Sequence, residues 1–528
     1  MTNHYDIIII GTGSGGSTIA YKLAATGKRI LILERGGFIP KEKENWDPHE
    51  VVTAGRYRPN ESWYDHGDKP FKPFIHYNVG GNSKMYGAAL FRFRESDFEQ
   101  VKHYGGVSPA WPVGYDLYEH YYEIAEKLYS THGKQGIDPS EPWRASDYPL
   151  PPLPYEPLIE NLEMNMQKIG LKPFPLPMGI RLPQDYTQTE AAVMLENFDG
   201  FPDLTDSKAD GQVTCLRPAL MHKNVTLMTH AYVEKLCTDT SGQVVTKVIA
   251  DIKGEKITFS AGVVIVACGA VNSAALMLRS ANEKHPEGLA NSSGLVGRNL
   301  MLHHNGCLVA FTKDPINDCV FQKSLGLADF YNGAEDSEFP LGEIQLMGRN
   351  DSDTMLWLAE KIYPGKSYAE LRKMTIDFWL TSEDLPSPEN RVTLTKEGNI
   401  KIYYQRNNYT AYEKLKEKLK QVFVQLGEQD SKYKDVQWAG YDLDITGMSH
   451  QNGTMRFGTD PRSSVLDLNC KAHDLENLYV ADASFFPSCG AFNPSLTIAA
   501  NALRMGDHII NNVLNVQVAD KIEAEAVL

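Results

Sequence analysis

Residues 5–34, YDIIIIGTGSGGSTIAYKLAATGKRILILE, decide the fold of this chain. Tyr5–Ile10 is a short isoleucine-rich run bounded by glycine, which is typical of a buried parallel strand. A second apolar run covers residues 29–33 and ends at Glu34. Between the two runs, the sequence predicts a helix over Ser17–Ala25. The stretch therefore predicts a strand–turn–helix–strand unit of a parallel α/β sheet.

The first turn of this unit carries glycines at G-x-G-x-x-G spacing, at Gly11, Gly13 and Gly16. Gly11 permits the tight turn, Gly13 lets the backbone approach a pyrophosphate, and Gly16 lets the helix pack on the strand. A pyrophosphate would meet N–H groups at the positive end of the helix dipole. Glu34 can accept hydrogen bonds from ribose hydroxyls and disfavours a 2′-phosphate. The unit predicts dinucleotide binding but does not distinguish FAD from NAD.

The length and charge of the chain narrow its class. A length of 528 residues exceeds what one hydrophobic core supports, so we expect at least two core-bearing regions. Lys and Arg total 52 and Asp and Glu total 67, and the net charge of −15 argues against a nucleic-acid partner. No stretch approaches about 18 consecutive apolar residues, so we expect no membrane span.

The cysteines and histidines give no sign of a metal centre. The seven cysteines are scattered, without a C-x-x-C pair or a histidine at zinc-finger spacing, which favours a reducing compartment. His303 and His304 are adjacent, so their side chains point apart and no shared metal is expected. Only four residues precede the first predicted strand, too few for a signal peptide, so we expect a cytoplasmic protein.

The middle of the chain mixes α/β and antiparallel patterns. A second glycine-rich turn covers residues 79–87, and a second strand–glycine–helix element covers residues 256–278. A helix is predicted to begin at Asp116 with a capping box completed by Glu119. Its predicted apolar face consists of Leu117, Tyr121, Ile124, Ala125 and Leu128. The pattern predicts one discontinuous nucleotide-binding domain with a second domain inserted into it.

Two residues near the C-terminus are candidates for catalysis. His450 lies in SHQNGTMRFG, residues 449–458, and Asn493 lies in FNPSLT, before a predicted helix. Asn493 is also a favourable N-cap with Pro494 as a favourable first-turn residue, and His450 is one of 15 histidines. Composition and spacing leave the structural and the catalytic interpretations open.

Taken in order along the chain, these motifs resemble the glucose–methanol–choline (GMC) flavin oxidoreductases. The resemblance spans nearly the whole chain. The motifs that carry it are the first glycine turn with Glu34, Gly80-Gly81-Asn82-Ser83, Gly269-Ala270-Val271-Asn272-Ser273, His450, Asp482-Ala483-Ser484 and Asn493-Pro494-Ser495-Leu496-Thr497. The phrases VGRNL, residues 296–300, and PSPENR, residues 386–391, look closest to bacterial FAD-glucose dehydrogenases and pyranose-oxidase-like members.

The resemblance implies an α/β fold in which an antiparallel-sheet substrate domain is inserted into a discontinuous, Rossmann-like FAD-binding domain. The FAD-binding domain would comprise residues 1–110, 205–305 and 440–528. The substrate-binding domain, with lid-like segments, would comprise residues 111–204 and 306–439.

The resemblance also implies FAD as the cofactor, bound without a covalent link, because Met85 stands where covalently linked members carry histidine. The turn at residues 81–82 would lie against the isoalloxazine ring, the backbone of Val233 would meet adenine, and Asp482 and Ala483 would lie near the ribityl chain and pyrophosphate. The implied cofactor-binding set is Gly11, Gly13, Ser14, Gly16, Glu34, Arg35, Gly81, Asn82, Met85, Val233, Ala267, Asp482, Ala483, Asn493, Pro494 and Thr497.

The reaction implied by the resemblance is the oxidation of a hydroxyl group, most closely that of a sugar or glycoside. His450 would accept the hydroxyl proton while a hydride passes from the carbinol carbon to flavin N5. Asn493 would hydrogen-bond the same hydroxyl. Imidazole suits the role of base because its pKa lies near neutrality.

The sequence does not distinguish between two electron acceptors, and it leaves alternative reactions to sugar oxidation. Only Cys215 occurs between residues 199 and 230, so we expect no iron–sulfur cluster and direct transfer to O2 or a quinone-type acceptor. The alternatives are oxidation of a non-sugar alcohol and a GMC-type lyase or photodecarboxylase. A nicotinamide dehydrogenase would leave the C-terminal motifs unexplained. The oligomeric state is not predicted.

Overall fold

The computed structural model describes residues 3–182, 187, 198–447 and 449–517. The remaining residues, which include parts of both predicted domains, lie outside the described structure. The strands are β1 His4–Ile10, β2 Ile30–Leu33, β3 Trp63–Tyr64, β4 Pro70–Phe71, β5 Val101–His103, β6 Gly106–Ser108, β7 Thr131–His132, β8 Phe174–Pro175, β9 Met178–Gly179, β10 Val225–Met228, β11 Ala231–Thr238, β12 Val245–Ile252, β13 Glu255–Val266, β14 His304–Phe311, β15 Leu325–Leu327, β16 Glu343–Leu346, β17 Thr375–Ser382, β18 Arg391–Leu394, β19 Ile400–Tyr403, β20 Gln437–Asp442 and β21 Leu478–Val480. The helices are α1 Ser14–Ala24, α2 Tyr115–Leu128, α3 Pro157–Lys168, α4 Arg217–Leu220, α5 Ala270–Arg279, α6 Ser352–Ala359, α7 Tyr368–Leu371, α8 Tyr409–Gln429 and α9 Ser495–His508.

The first large sheet is the predicted nucleotide-binding sheet. Its parallel strands stand in the order β10-β2-β1-β13-β21, which is the 3-2-1-4-5 order of a Rossmann-like sheet. The long strand β13 also pairs antiparallel with β12, which pairs with β11. The central part of the parallel sheet is apolar and buried, at Ile7–Ile10 of β1, at all four residues of β2 and at all three of β21, as expected for a sheet covered on both faces.

The first glycine turn packs too closely for side chains at three positions, Gly11, Gly15 and Gly16. Gly11 has a φ of +100°, and a Cβ there would lie 2.3 Å from the carbonyl oxygen of Ala267. A Cβ at Gly16 would lie 2.1 Å from the carbonyl oxygen of Gly11. Helix α1 begins at Ser14, earlier than predicted, so these glycines bring its first turn against the strand ends.

The second large sheet confirms the predicted antiparallel insertion. Its order is β20-β14-β17-β16-β15-β8, and every pair of neighbours is antiparallel. One face packs on α3 and α8 through a separate hydrophobic core that includes Leu162, Phe378 and Leu419. The molecule is therefore α/β, as predicted, with three hydrophobic clusters among the described residues, while the domain boundaries stay a prediction.

The buried face of helix α2 includes Ala125, with Tyr121, Ile124 and Leu128 packed at its edge as predicted, but it is centred on other residues and leaves Leu117 exposed. Its N-cap is Gly114, and Glu119 accepts hydrogen bonds from Arg92 instead of completing a capping box. Leu117 is 42% exposed, whereas Tyr118 and Tyr122 are fully buried. The tyrosine hydroxyls find partners inside the protein, so their rings pack in the core at no hydrogen-bonding cost.

The predicted N-cap at Asn493 is also wrong. The N-cap of α9 is Pro494, and no side chain caps this helix. Asn493 directs its side chain away from the helix and accepts a hydrogen bond from Gln345 on β16. This finding removes the N-cap interpretation of Asn493.

Candidate active site

A cavity of about 760 Å³ lies where the two large sheets meet. Gly11 follows β1 and Ala267 follows β13, so the carboxyl edge of the parallel sheet forms one wall. Trp379 on β17 and Tyr441 on β20 belong to the opposite wall, formed by the antiparallel sheet. The volume lies within the range of small-molecule sites, and the place is where α/β sheets bind ligands.

Most of the residues predicted from the sequence line this cavity. They are Gly11, Gly13, Ser14, Glu34, Arg35, Gly81, Asn82, Met85, Val233, Ala267, His450, Asp482, Ala483, Asn493 and Pro494. Gly16 and Thr497 do not belong to the lining. Gly16 is packed against the turn at Gly11, and the Thr497 hydroxyl lies 2.7 Å from the hydroxyl of Tyr122.

The two glycine turns leave backbone open to the cavity. Gly13 is the N-cap of α1, no side chain caps this helix, and a Cβ at Gly13 would have no neighbour within 4 Å. Gly81 has a φ of +55°, and a Cβ there would lie 3.1 Å from the Cα of Gly13. This cradle at a helix N-terminus fits the pyrophosphate of a dinucleotide.

Two buried acids hold the turns around the cradle. Glu34 accepts hydrogen bonds from the amide of Thr12, at 3.0 Å, and from the amide of Gly36, at 2.9 Å. Asp482 accepts a hydrogen bond of 3.0 Å from the amide of Gly269. Burial raises the pKa of both carboxyls, although these hydrogen bonds oppose the rise. Both side chains line the cavity and can also accept from a ligand.

Arg35 gives one end of the cavity a flat wall. Its guanidinium carbon lies 3.8 Å from the centre of the Tyr77 ring and 4.3 Å from that of Tyr232. An ion pair with Glu61 fixes the guanidinium in this position. Planar guanidinium and tyrosine groups of this kind can stack with an aromatic base.

His450 presents one ring nitrogen to the cavity. Its Nδ1 lies 3.0 Å from Nδ1 of His303 and 3.4 Å from Nδ2 of Asn305. Its Nε2 has no hydrogen-bond partner among the described residues. Burial, together with the nearby His303 and Lys323, lowers the pKa of His450 to about 3. The imidazole is therefore neutral near pH 7 and keeps a lone pair, although its pKa lies below the near-neutral value that suits a general base.

Asn493 is oriented from behind by two buried side chains of β16. Nε2 of Gln345 lies 2.6 Å from Oε1 of Glu343 and 3.1 Å from Oδ1 of Asn493. Alternation along the strand places Glu343 and Gln345 on the same face. Because Oδ1 of Asn493 accepts from Gln345, its amide NH2 group is left to donate into the cavity.

A charged pair completes the wall near His450. Nζ of Lys323 lies 2.7 Å from Oδ2 of Asp199, which also accepts from the amide of Gly348 at 3.1 Å. Burial alone would raise the pKa of Asp199, but Lys323 and this amide lower it. Both side chains line the cavity, and the charge of Lys323 contributes to the lowered pKa of His450.

Sequence reasoning missed several of these residues. His303 was considered only as a metal ligand, and Gln345, Lys323 and Asp199 were not singled out at all. Two polar residues in the short run EIQL, 343–346, were the one available signal, because both occupy one face of an apolar strand.

The described residues contain neither a membrane-spanning helix nor a cluster of metal ligands. Among residues 3–182, 187, 198–447 and 449–517, no helix is long and apolar enough to cross a membrane. The same residues contain no group of three or more His, Cys, Asp or Glu side chains that could hold a metal ion.

The chain belongs to the GMC oxidoreductase family. The N-terminal sequence model of that family matches residues 5–305, and the C-terminal one matches residues 386–502. Members of this family bind FAD, so the predicted cofactor, without covalent attachment as is typical of the family, is confirmed. The protein is an oxidoreductase that acts on CH–OH groups.

Individual relatives are similar over their full lengths. The 6‴-hydroxyparomomycin C oxidase of Streptomyces lividus is 29% identical over 96% of this chain and 92% of its own. The fructose dehydrogenase large subunit of Gluconobacter japonicus is 26% identical over 96% of this chain and 98% of its own. The crystal structure of pyridoxine 4-oxidase from Mesorbium loti has a TM-score of 0.65 at 19% identity, covering 95% of this chain and 98% of that one. The last likeness confirms the fold.

Proposed function

We propose that this protein oxidises a hydroxyl group of a sugar or glycoside and passes the electrons to O2 or a quinone-type acceptor. His450 is the base in this proposal, and Asn493 holds the reacting oxygen. The arrangement that carries it is a neutral imidazole nitrogen and an amide NH2 group that open into one cavity with the glycine cradle. Two relatives, the 6‴-hydroxyparomomycin C oxidase and the fructose dehydrogenase large subunit, support the choice of a sugar or glycoside as substrate.

The side chains divide the chemistry between proton removal and charge stabilisation. Bound FAD supplies a hydride acceptor at N5 of its isoalloxazine ring. Nε2 of His450 accepts the hydroxyl proton, which makes it easier for the carbinol carbon to release a hydride. The NH2 group of Asn493 donates to the same oxygen and stabilises the negative charge that develops on it.

The Lys323–Asp199 pair supports a polyhydroxylated substrate over a simple alcohol. A lysine ammonium has three donors, and one of them is used by Asp199, while the carboxylate keeps lone pairs in addition to those it uses. The two side chains together can donate to one hydroxyl and accept from a neighbouring one. A simple alcohol offers no second hydroxyl, so it would leave these groups without a ligand partner.

Replacing Lys323 by methionine is expected to reduce kcat/KM for sugars by about 10- to 100-fold, the cost of a hydrogen bond to a charged group. The same change should alter kcat/KM for a simple primary alcohol by no more than about threefold. The double variant Lys323→Met/Asp199→Asn removes the carboxylate charge that the single variant leaves unpaired. Steady-state kinetics with a panel of monosaccharides, glycosides and simple alcohols measures these effects.

The matched control is Lys373→Met, because Lys373 forms an exposed ion pair with Asp318, at 3.4 Å. This variant should behave as the wild type with every substrate. Equal losses for sugars and simple alcohols in the Lys323 variants would contradict the proposed sugar recognition. Peroxide formation compared with quinone reduction, measured on the wild type, distinguishes the two acceptors.

A further inference from the structure

A buried histidine and a backbone carbonyl stand in line behind His450. Nδ1 of His450 lies 3.0 Å from Nδ1 of His303, and Nε2 of His303 lies 3.1 Å from the carbonyl oxygen of Cys489. His303 is completely buried and does not line the cavity. It therefore touches the proposed base but not the space where substrate would bind.

The carbonyl oxygen of Cys489 determines which nitrogen carries the hydrogen in each of these two hydrogen bonds. A carbonyl oxygen can only accept, so Nε2 of His303 carries a hydrogen. Burial lowers the pKa of His303, so the ring is neutral and its Nδ1 has a lone pair instead of a hydrogen. Nδ1 of His450 must then carry the hydrogen that joins the two rings. Nε2 of His450 is left unprotonated on the side of the cavity.

The backbone at His303 and at Cys489 fixes the positions of the two groups behind His450. His303 has a φ of +59°, in the left-handed region that only a few per cent of non-glycine residues adopt. The peptide that supplies the acceptor is itself held in place. The amide of Gly490 donates to Glu383 at 3.3 Å, and Sγ of Cys489 donates to the carbonyl oxygen of Asp384 at 3.2 Å. These contacts hold the acceptor carbonyl in a fixed position behind His303.

We propose that His303 is a positioning residue, which holds His450 in the tautomer with hydrogen on Nδ1 and aims its bare Nε2 at the substrate hydroxyl. The proposal rests on the role of His450 in the proposed function. In the other tautomer, Nε2 would carry hydrogen and could not accept the hydroxyl proton. His303 thereby acts on the reaction only through the state of its neighbour.

Other groups around the two rings do not fix the tautomer. Nδ2 of Asn305 lies 3.4 Å from Nδ1 of His450, and an NH2 group cannot donate to a protonated nitrogen. Hydrogen on Nδ1 therefore requires the Asn305 amide to present its otherwise unpartnered Oδ1 on this side, farther away than the lone pair of His303 at 3.0 Å. The charged groups whose fields reach the rings are Lys323 on the His450 side and Glu383 on the His303 side. Neither of them accepts a hydrogen bond from His450, so the lone pair of His303 is the acceptor that selects the tautomer.

Three substitutions of His303 separate positioning from packing. His303→Asn keeps a neutral acceptor at the δ position and tolerates a positive φ, so reduction by substrate should stay within about fivefold of wild type. His303→Leu removes the acceptor and should slow anaerobic reduction by about 10- to 100-fold, with KM changed by less than about threefold. Both variants should retain FAD, which absorbance at purification measures. A His303→Leu variant that keeps FAD and the wild-type rate would overturn the proposal.

His303→Asp tests the pH dependence of flavin reduction, which a change in packing alone would not alter. Its carboxylate accepts from Nδ1 of His450 and stabilises the imidazolium, so it raises the pKa of the base. Because the pKa of wild-type His450 is lowered to about 3, wild-type reduction should be constant from about pH 5 to about pH 7. In the aspartate variant, the rate should fall as pH drops through the raised pKa, by about tenfold per pH unit below it. An unchanged pH profile in a folded, FAD-containing variant would contradict contact between residue 303 and the base.

Nitrogen NMR of the holoenzyme labelled with ¹⁵N-histidine tests the tautomer without kinetics. We expect hydrogen on Nδ1 and none on Nε2 of His450, with its signals assigned by their loss in His450→Ala. A wild-type His450 with hydrogen on Nε2 would overturn the inference, whatever the rates. If His450→Ala reduces normally, the proposed function fails, while the NMR result still reports on the contact with His303. The two failures are thus distinguishable.

Discussion

Anaerobic reduction by substrate should slow by about 10²- to 10⁴-fold when His450 is replaced by alanine, the usual contribution of a positioned general base. Nε2 of His450 is the unprotonated imidazole nitrogen that faces the cavity, and no other described residue hydrogen-bonds it. The alanine variant should keep its yellow colour, because His450 belongs to none of the glycine turns that form the cradle. Stopped-flow absorbance of the flavin, recorded at saturating substrate, measures the rate.

An exposed histidine provides the matched control for this variant. His222 lies in a surface turn between α4 and β10, and its replacement by alanine should leave the rate unchanged. Partial rescue of His450→Ala by added imidazole would identify the missing group as a base. A His450→Ala rate within about threefold of wild type would remove His450 from the mechanism.

Replacing Gly13 by aspartate is the second change with a large expected effect. Gly13 is the N-cap of α1, its φ of −63° suits any residue, and a Cβ there meets nothing within 4 Å. Aspartate is among the best N-caps, so the stability of the protein without FAD should stay the same or rise. Its carboxylate would face the pyrophosphate of FAD, and we expect affinity for FAD to fall by at least about 100-fold.

A second glycine variant distinguishes loss of FAD from loss of the fold. A Cβ at Gly16 would lie 2.1 Å from the carbonyl oxygen of Gly11, so Gly16→Ala should lower the free energy of unfolding by roughly 1–3 kcal/mol. Titration of FAD into protein stripped of it, together with denaturant unfolding, measures both quantities. Wild-type FAD affinity in Gly13→Asp would show that the cofactor does not approach this backbone.

The parallel half of the fold could be predicted because its determinants are local. The strand from Tyr5 to Ile10, the turn at residues 11–16 and Glu34 occupy one short stretch, and each has a single physical explanation. The antiparallel sheet could not be derived in this way, because its strands β8 and β20 lie more than 260 residues apart in the chain. The patterns in the middle of the chain predict an inserted domain, and the family resemblance implies that this domain is built on an antiparallel sheet.

Hydropathy located helix α2 but not the centre of its buried face, because the helix buries polar groups that find partners. Tyr118, Tyr122 and Glu126 face the core, whereas Leu117 faces solvent. Glu126 is buried because it pairs with Arg92, which follows the second glycine turn in the chain. Such pairing depends on tertiary contacts, and no periodicity within the helix reveals it.

The candidate site was predictable where it uses backbone and uncommon motifs, and not where it uses distant side chains. His450 and Asn493 stand in recognisable motifs, and the structure places both at the cavity. The groups that orient them, His303 and Gln345, come from separate segments about 150 positions away in sequence. Only the folded structure brings such groups together.

In the proposed function, this protein removes a hydride from a carbon that bears a hydroxyl group, with His450 as the base. The most direct test mixes the wild-type holoenzyme anaerobically with each member of a sugar and glycoside panel and follows the flavin absorbance. We predict that at least one sugar bleaches the flavin, and that deuterium at the oxidised carbon slows the bleaching by a primary isotope effect. If no sugar, glycoside or simple alcohol bleaches the flavin, the proposed oxidation of a hydroxyl group is wrong.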